Sequence, residues 1–373
     1  MRPLVSINLL TYNAEKYIKS CLNSVFSQAY PELEILIIDN ASTDGTIEYL
    51  KKLPKRQNLK IVFNKKNVGF AAGHNQGIRE SEGEFVLCLN QDVILDSGFV
   101  REAVEIFKKD RKIASVQGKL LRWNLGLSTI IDTTGLVIFK NRRIINREQG
   151  QIDQGQFENR EEIFGADGAA PVYRREALED VKIKEEYFDE DFFCYKEDVD
   201  LAWRLRLRGW KAIYQPKSVA WHARTAGDSA AKGYLSIVRE RLKINKFGKF
   251  HAFKNQRLMQ LKNEQPLLLI KHLPWFLPKE IISWVYVLLF EKYTWKAMKE
   301  LFKLTPNAWQ KRKIIMKKKK ASVKEMEKWK TSAKSAIDRR NKKTRYCYKI
   351  KVRLNFARKK TEITCLSQKC QNE

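Results

Sequence analysis

The chain has 373 residues, 43% of them hydrophobic, and a formal net charge of +29. That length and apolar content support one large domain with additions and exclude a wholly disordered chain. Residues 1–225 hold 34 Lys and Arg against 32 Asp and Glu, whereas residues 226–373 hold 38 against 11, the pattern of a neutral unit followed by a basic docking extension.

Leu4–Leu10 is an apolar run with the length of a buried strand. Lys16–Gln28 carries Tyr17, Ile18, Cys21, Leu22, Val25 and Phe26 at a 3.6-residue period and predicts a helix. Leu33–Ile38 predicts a second strand that ends at Asp39, and Asp44–Leu53 a short helix. Leu59–Phe63 predicts a third strand, Ala71–Glu80 a helix, and Glu84–Leu89 a fourth strand ending at Asn90-Gln91-Asp92. Strands alternating with helices in this way predict an α/β fold with a mostly parallel sheet and helices on both faces. Ligands of such sheets bind beyond the carboxyl ends of the strands. Three polar clusters fall at those ends: Thr11-Tyr12-Asn13, Asp39–Gly45 and Asn90–Asp92. Further on, Phe99–Lys108 and Val199–Arg208 predict helices, Ile113–Val116 and Leu136–Phe139 strands, and Leu235–Phe247 a basic amphipathic helix.

The extension reads differently. Pro266–Phe290 contains two apolar patches, Leu267–Ile270 and Ile281–Phe290, interrupted by Lys271, His272, Lys279 and Glu280. Its longest unbroken apolar stretch falls short of the roughly 20 residues that span a bilayer. Trp275, Trp284, Tyr286, Tyr293 and Trp295 suit an interfacial level instead. A lysine-rich run follows from Lys311. The expected plan is a catalytic domain over 1–250, an aromatic-rich membrane-associating segment over 251–310 and a basic tail over 311–373. The six cysteines contain no C-x-x-C pair, so zinc-ribbon and redox motifs have no support and reduced thiols are expected. No secretory apolar region precedes the first strand, which predicts a cytoplasmic location at the inner face of the membrane.

Several residues carry candidate chemistry. A carboxylate at a strand end, such as Asp39, can accept from the N–H of a pyrimidine ring, whereas Asp44 suits a helix cap. The glycines of Asn67–Gly77 permit close backbone approach at a helix start, where free N–H groups suit phosphate. His74 within that run suits local packing. Asp92 is a candidate ligand for a hard divalent cation. In Glu197–Trp210 acids open a helix and arginines close it, which suits the macrodipole. Asp198 in that first turn can also face a cleft and take a proton from a hydroxyl, while Asp200 and Arg204 form a structural pair. His222 is a candidate metal ligand, and Arg224 a candidate phosphate ligand.

Taken together, Val5–Asn13, Asp39–Thr46, Asn67–Gly77, Leu89–Asp92, Gly165–Ala169 and Glu197–Trp210 resemble, in order, the motifs of the family 2 glycosyltransferases, in particular their rhamnosyltransferase-like branch. The resemblance covers about residues 4–225. It implies a GT-A fold, an inverting transfer, and a nucleotide-sugar pocket lined by Thr11, Asn13, Asp39, Asn67, Gly69, Asn90 and Arg224. It further implies Mg2+ or Mn2+ at Asp92 and His222, with Asn90 standing where the family's metal motif has its first carboxylate. Asp167, Gly168 and Glu197 fall on the acceptor side, and Asp198 matches the general base. The donor suggested is dTDP-rhamnose-like, with a UDP-hexose as the alternative. The acceptor is a glycan or polyprenyl-diphosphate-linked glycan of cell-surface polysaccharide synthesis. The basic extension suggests an anionic membrane surface as partner. A nucleic-acid-binding protein is the reading from another class; no nucleic-acid module accompanies the charge, and no specific nucleic acid is expected.

Overall fold

The computed structural model describes residues 2–123, 126–224 and 234–331. The chain opens with β1 (Val5–Thr11), α1 (Ile18–Phe26), β2 (Leu33–Asp39), α2 (Thr46–Lys51), β3 (Leu59–Phe63), α3 (Gly69–Arg79) and β4 (Phe85–Asn90). These elements match the alternation read from the sequence. β4, β1, β2 and β3 lie side by side and parallel, with Thr11 opposite Asp39 and Leu10 opposite Asn90. The three polar clusters therefore share one sheet edge. β1 is buried on both faces, which is why its sequence runs apolar rather than alternating.

The chain continues through β5 (Val93–Leu95), α4 (Phe99–Phe107), β6 (Ile113–Trp123), β7 (Leu127–Thr133), β8 (Leu136–Phe139), β9 (Ile144–Asn146), β10 (Glu161–Ile163) and β11 (Val172–Arg174), of which β8 and β9 belong to a second, small sheet. Next come α5 (Arg175–Val181), α6 (Glu197–Leu207) and β12 (Lys211–His222). The main path is β10-β12-β6-β11-β4-β1-β2-β3, with β5 on β12 and β7 on β6. β11 runs antiparallel between β4 and β6, so the sheet is mixed at its centre. β12 is a long strand that the sequence pattern hides. Pro216 interrupts it, and its register against β6 slips between Gln215 and Val219, the irregularity that a proline requires inside a sheet.

The helical layer comprises α7 (Tyr234–Lys243), α8 (Lys246–Asn263), α9 (Pro266–Phe290), α10 (Trp295–Lys318) and α11 (Val323–Glu327), followed by β13 (Lys330–Thr331) on β8. The helix expected over Leu235–Phe247 is thus broken, because Asn245 caps a new helix by accepting from the Gly248 N–H at 2.7 Å. The boundaries expected at 250 and 310 fall inside α8 and α10. Leu258 and Met259 of α8 and Leu301, Ala308 and Ile315 of α10 share a core with Trp203 of α6 and Leu136 and Ile138 of β8. Lys311 is buried against Glu186, Asp189 and Asp191 at 2.8, 2.5 and 3.0 Å, so residue 311 does not open a solvated tail. The rest of the basic tail, 332–373, lies outside the described residues.

α9 also departs from the expected interrupted pattern. It is one continuous helix of 25 residues through Pro274 and Pro278, long and apolar enough by length and composition to cross a membrane. Cys21, Cys88 and Cys194 are free thiols.

Candidate active site

The carboxyl edge of the sheet carries two groups of polar side chains. The first surrounds Asp39, which is fully buried. Its carboxylate accepts from the Thr11 hydroxyl at 2.9 Å, the Ser42 N–H at 2.9 Å and the Ser42 hydroxyl at 2.6 Å. A carboxylate offers about four lone-pair sites, so these bonds leave little acceptor capacity. Asp39 and Thr11 thus form a floor under the site rather than an open rim, a departure from the expected direct contact with a base. Above them Asn13, at φ 50°, donates its N–H to Ser42 Oγ at 2.9 Å and accepts the Thr43 N–H on Oδ1 at 2.8 Å. Asp44 accepts the Thr46 N–H at 3.0 Å in the turn before α2, but the cap position itself is held by Gly45 without a side-chain bond, so Asp44 lies one residue ahead of the cap expected of it.

The glycine-rich start of α3 serves a different purpose from the one expected. Asn67 accepts the Gly69 N–H at 2.9 Å. Gly69 has φ 89°, and a Cβ there would come within 2.6 Å of the Phe193 ring. The Ala71 N–H, one of the free donors of the helix start, is taken by the Phe193 carbonyl at 3.1 Å. Asn67 and Gly69 thus accommodate the segment before α6, and two of the N–H groups expected to face phosphate are taken within the protein. His74 is fully buried against Phe70 and Phe188. Burial lowers its pKa to about 3, so it is a neutral packing residue.

The second group forms a chain of charges. His222, the last residue of β12, pairs with Val93 of β5, and the Ala223 N–H donates to the Asp92 carbonyl at 2.9 Å. This sets His222 Nε2 3.4 Å from Asp92 Oδ1 and Nδ1 2.8 Å from Asp132 Oδ2. Asp132 sits on β7 and also receives Arg224 Nε, and Arg224 reaches Asp167 Oδ2 at 3.6 Å. Asp132 was not recognisable by motif; its one signal is an acid in the apolar run Ile130-Ile131-Asp132. Burial would lower the imidazole's pKa, but Asp92 and Asp132 outweigh it and raise it to about 10. Burial opposes ionisation of Asp132 too, yet Arg224 and His222 lower its pKa to about 2.

These residues fit a divalent cation. Asp92 and His222 Nε2 converge in a nearly buried position, and Asp132 on Nδ1 fixes the ring as outer carboxylates do in metal sites. A cation there would take the place of the imidazole proton. No group of three His, Cys, Asp or Glu suited to a metal occurs among the described residues. A cation held by this pair would need waters and substrate phosphates to complete its coordination.

Asp198 stands at the start of α6, beside the loop that precedes β11. The Gly168 N–H donates to Asp198 Oδ2 at 3.0 Å and the Val199 N–H to Oδ1 at 2.8 Å. A Cβ on Gly168 would lie 3.3 Å from Asp198 Cβ, so the loop approaches closely. The Asp167 N–H donates to Gln117 Oε1 at 2.7 Å, and the Asn90 N–H to the Ala169 carbonyl at 2.9 Å. These bonds tie the loop to β6 and to the end of β4. Burial, then the neighbouring Asp167, raise the Asp198 pKa to about 6 against the opposing Lys196. Burial and then Asp198 hold Glu197 well above the carboxylate range, and its Oε2 has no hydrogen-bond partner. Asp200 pairs with Arg204 at 2.9 Å, wholly inside the protein. The structure thus gathers Asp92, His222, Arg224, Asp167, Gly168, Glu197 and Asp198 on one side, and Thr11, Asn13 and Asp39 on the other. Asn90 lies between them, one residue from the level of Thr11.

With this geometry in place, comparison with known proteins is informative. Residues 6–182 match the model of the family described as Glycosyl transferase family 2. Over that segment, a little under half of the chain, it is similar to family 2 glycosyl transferases. A poly-beta-1,6-N-acetyl-D-glucosamine synthase of Staphylococcus epidermidis is 29% identical over 221 residues, 58% of this chain and 49% of that protein. A synthase of the same name from Staphylococcus aureus (strain COL) is 28% identical over 225 residues, with the same shares of each chain. The chain spans about half the length of these curated relatives. Among solved structures, S. aureus TarS 1-349 in complex with UDP is 18% identical, covering 84% of this chain and 88% of that one with a TM-score of 0.50. GalNAc-T7 with UDP, GalNAc and Mn2+ is 15% identical, covering 73% and 54%, also with a TM-score of 0.50. The fold is GT-A, with a helical C-terminal extension. The family match ends before Asp198, His222 and Arg224, so the roles of those residues rest on geometry.

Proposed function

We propose that this protein is an inverting glycosyltransferase that moves a sugar from a pyrimidine nucleoside diphosphate to a glycan hydroxyl. The observation that carries the reading is Asp198: a partly exposed carboxylate held by two backbone N–H groups, on the same edge as the Asp92–His222 pair. A base with a pKa near 6 is ionised at neutral pH yet basic enough to accept a proton. The acceptor hydroxyl gives its proton to Asp198 as its oxygen bonds to the anomeric carbon. The bond from that carbon to the diphosphate oxygen breaks on the opposite face, and the nucleoside diphosphate leaves. A cation held by Asp92 and His222 would supply charge neutralisation to the departing diphosphate. Asn13 borders the nucleotide, with Asp39 and Thr11 as floor. Arg224, fixed by Asp132, lies toward the phosphates, and Asp167 toward the acceptor.

The named curated relatives are synthases of an N-acetylglucosamine polymer. Their names favour a UDP-linked N-acetylhexosamine as donor over the dTDP-rhamnose that the branch resemblance suggests. The acceptor proposed is a growing or lipid-linked cell-surface glycan, reached from the cytoplasmic face of a membrane. The deciding experiment is a donor-hydrolysis and thermal-shift screen of the full chain against UDP-GlcNAc, other UDP-hexoses and dTDP-rhamnose, each with Mg2+ or Mn2+. Stabilisation and turnover with UDP-GlcNAc support the proposal. Absence of any response to every nucleotide sugar overturns it.

A further inference from the structure

We propose that α9 and the outer face of α10 dock this protein on an anionic lipid surface, with α9 lying in the plane of that surface rather than crossing it. The inference goes beyond the transfer reaction and can fail without affecting it. Leu267, Ile270, Leu273, Leu277, Ile281, Val285 and Leu288 are all exposed and recur every three to four residues, so they form one stripe along α9. Every charged or imidazole side chain of α9 has a partner inside the protein. Lys271 pairs with Glu327 of α11 at 2.8 Å, and His272 bonds to Arg142 at 2.9 Å. Glu280 pairs with Arg257 of α8 at 2.9 Å and with Lys279 at 2.5 Å. The polar residues that seemed to interrupt the apolar pattern are the ones that anchor the helix to the domain along its length.

Those anchors decide between lying and crossing. A crossing orientation would take Arg142, His272, Arg257 and Glu280 away from water or from one another. α10 supplies the charge. Trp295, Phe302 and Trp309 are exposed seven residues apart, with exposed Lys299, Lys303 and Lys313 between or beside them on the same face. Aromatic rings alternating with lysines match an anionic headgroup layer.

The test is cosedimentation of the full chain with vesicles of phosphatidylglycerol and phosphatidylcholine, compared with phosphatidylcholine alone. Preferential binding to the anionic vesicles and release by alkaline carbonate are expected. Ile270→Glu with Ile281→Glu should lower the bound fraction about tenfold or more, and single Leu277→Glu, on the same stripe, should lower it to a smaller extent should the pair fail to fold. Failure of the parent protein to bind anionic vesicles overturns the docking role. Resistance to carbonate overturns the in-plane orientation. Dimers that the same substitutions convert to monomers, without vesicle binding, assign the stripe to a second copy of the chain.

A separate observation concerns the segment entering α6. Phe193, Tyr195 and Lys196 adopt φ 63°, 67° and 74°, conformations that L-residues hold only when their surroundings impose them. Asn255 of α8, fully buried, shares the two N–H groups of Nδ2 among the carbonyls of Phe192, Cys194 and Tyr195 at 2.9, 2.8 and 2.8 Å. Phe193 also stacks on His251 with centroids 5.4 Å apart. Two residues after Asp198, Asp200 receives Lys262 at 2.8 Å and Asn263 at 2.7 Å. We infer that Asn255 is a positioning residue for Asp198, an inference that rests on Asp198 being the base.

Asn255→Asp and Asn255→Ser in the full chain should lower kcat about 10- to 100-fold while the donor KM stays within about twofold. A loosened segment also admits water to Asp198. Its neighbours Asp167, Glu197 and Lys196 then act through solvent, and the acidic limb of the kcat profile should move down from about 6. Folded variants with unchanged kcat and an unchanged limb reduce Asn255 to a structural role. Full activity in Asp198→Asn instead overturns the base assignment, so the two failures are distinct.

Discussion

The carboxyl edge of the sheet and the helical layer behind it are assembled from different kinds of element. At the edge, each key residue stands at a strand end, in a turn or at a helix start, as with Thr11 opposite Asp39, Asp39 with Ser42 or His222 with Asp132. In the layer, the contacts that matter run from helix faces to the segment before α6: Asn255 to Phe192 and Lys311 to Asp189. The difference separates chemistry from support. The edge supplies the groups proposed to touch substrate. The layer supplies buried cations and amides that fix the segment from Asp189 to Asp200. A region that reads as a detachable basic extension is therefore part of the catalytic body as far as Thr331, while its outer stripe remains free for a surface.

Four experiments probe that division. Asp198→Asn should cost about 10²- to 10⁴-fold in kcat with nucleotide binding retained; a rate within tenfold of the parent would place the base elsewhere. In the layer, Lys262→Ala removes one of the two cations that Asp189 and Asp200 each hold, leaving Lys311 and Arg204, and should lower unfolding stability by about 1.5–3 kcal/mol in denaturant titration. A negligible change would make the layer dispensable and break the comparison.

At the edge, Asp132→Asn removes the carboxylate behind His222 and should weaken metal-dependent nucleotide binding about 10- to 100-fold, read by titrating Mn2+ against bound nucleotide. The smallest effect is on pH. The proposed base works as a carboxylate, so protonation of Asp198 below about 6 should remove activity, and log kcat should fall by about one per unit further down. Asp167→Asn deletes the neighbouring charge that raises this value, so the acidic limb should shift to lower pH. An unmoved limb would show that Asp198 does not set it.

Much of the edge was legible because strand ends, turns and helix starts are local events. The runs Leu33–Ile38 and Glu84–Leu89 announced strands, and the polar residues after them had no other place to be. Asp200 with Arg204 as a pair followed from spacing alone. Asn67 and Gly69 misled because a glycine at a helix start permits close approach by any backbone. Here the approaching group is Phe193, more than a hundred residues later. β12 was hidden by Pro216, and Asp132 by the absence of any motif around a single buried acid.

The sequence by itself determined the alternation of strands and helices, the edge on which the polar clusters gather, and the asymmetry of charge. Periodicity, chain direction and composition are properties of short segments and survive without a partner. Only the tertiary structure decided that Asp39 is a floor, that Asp132 stands behind His222, and that Lys311 and Asn255 face inward. It also decided that the polar residues of α9 are anchors rather than interruptions. Each of those outcomes depends on which distant group removes water from a side chain, and burial of that kind is settled only when the layers close.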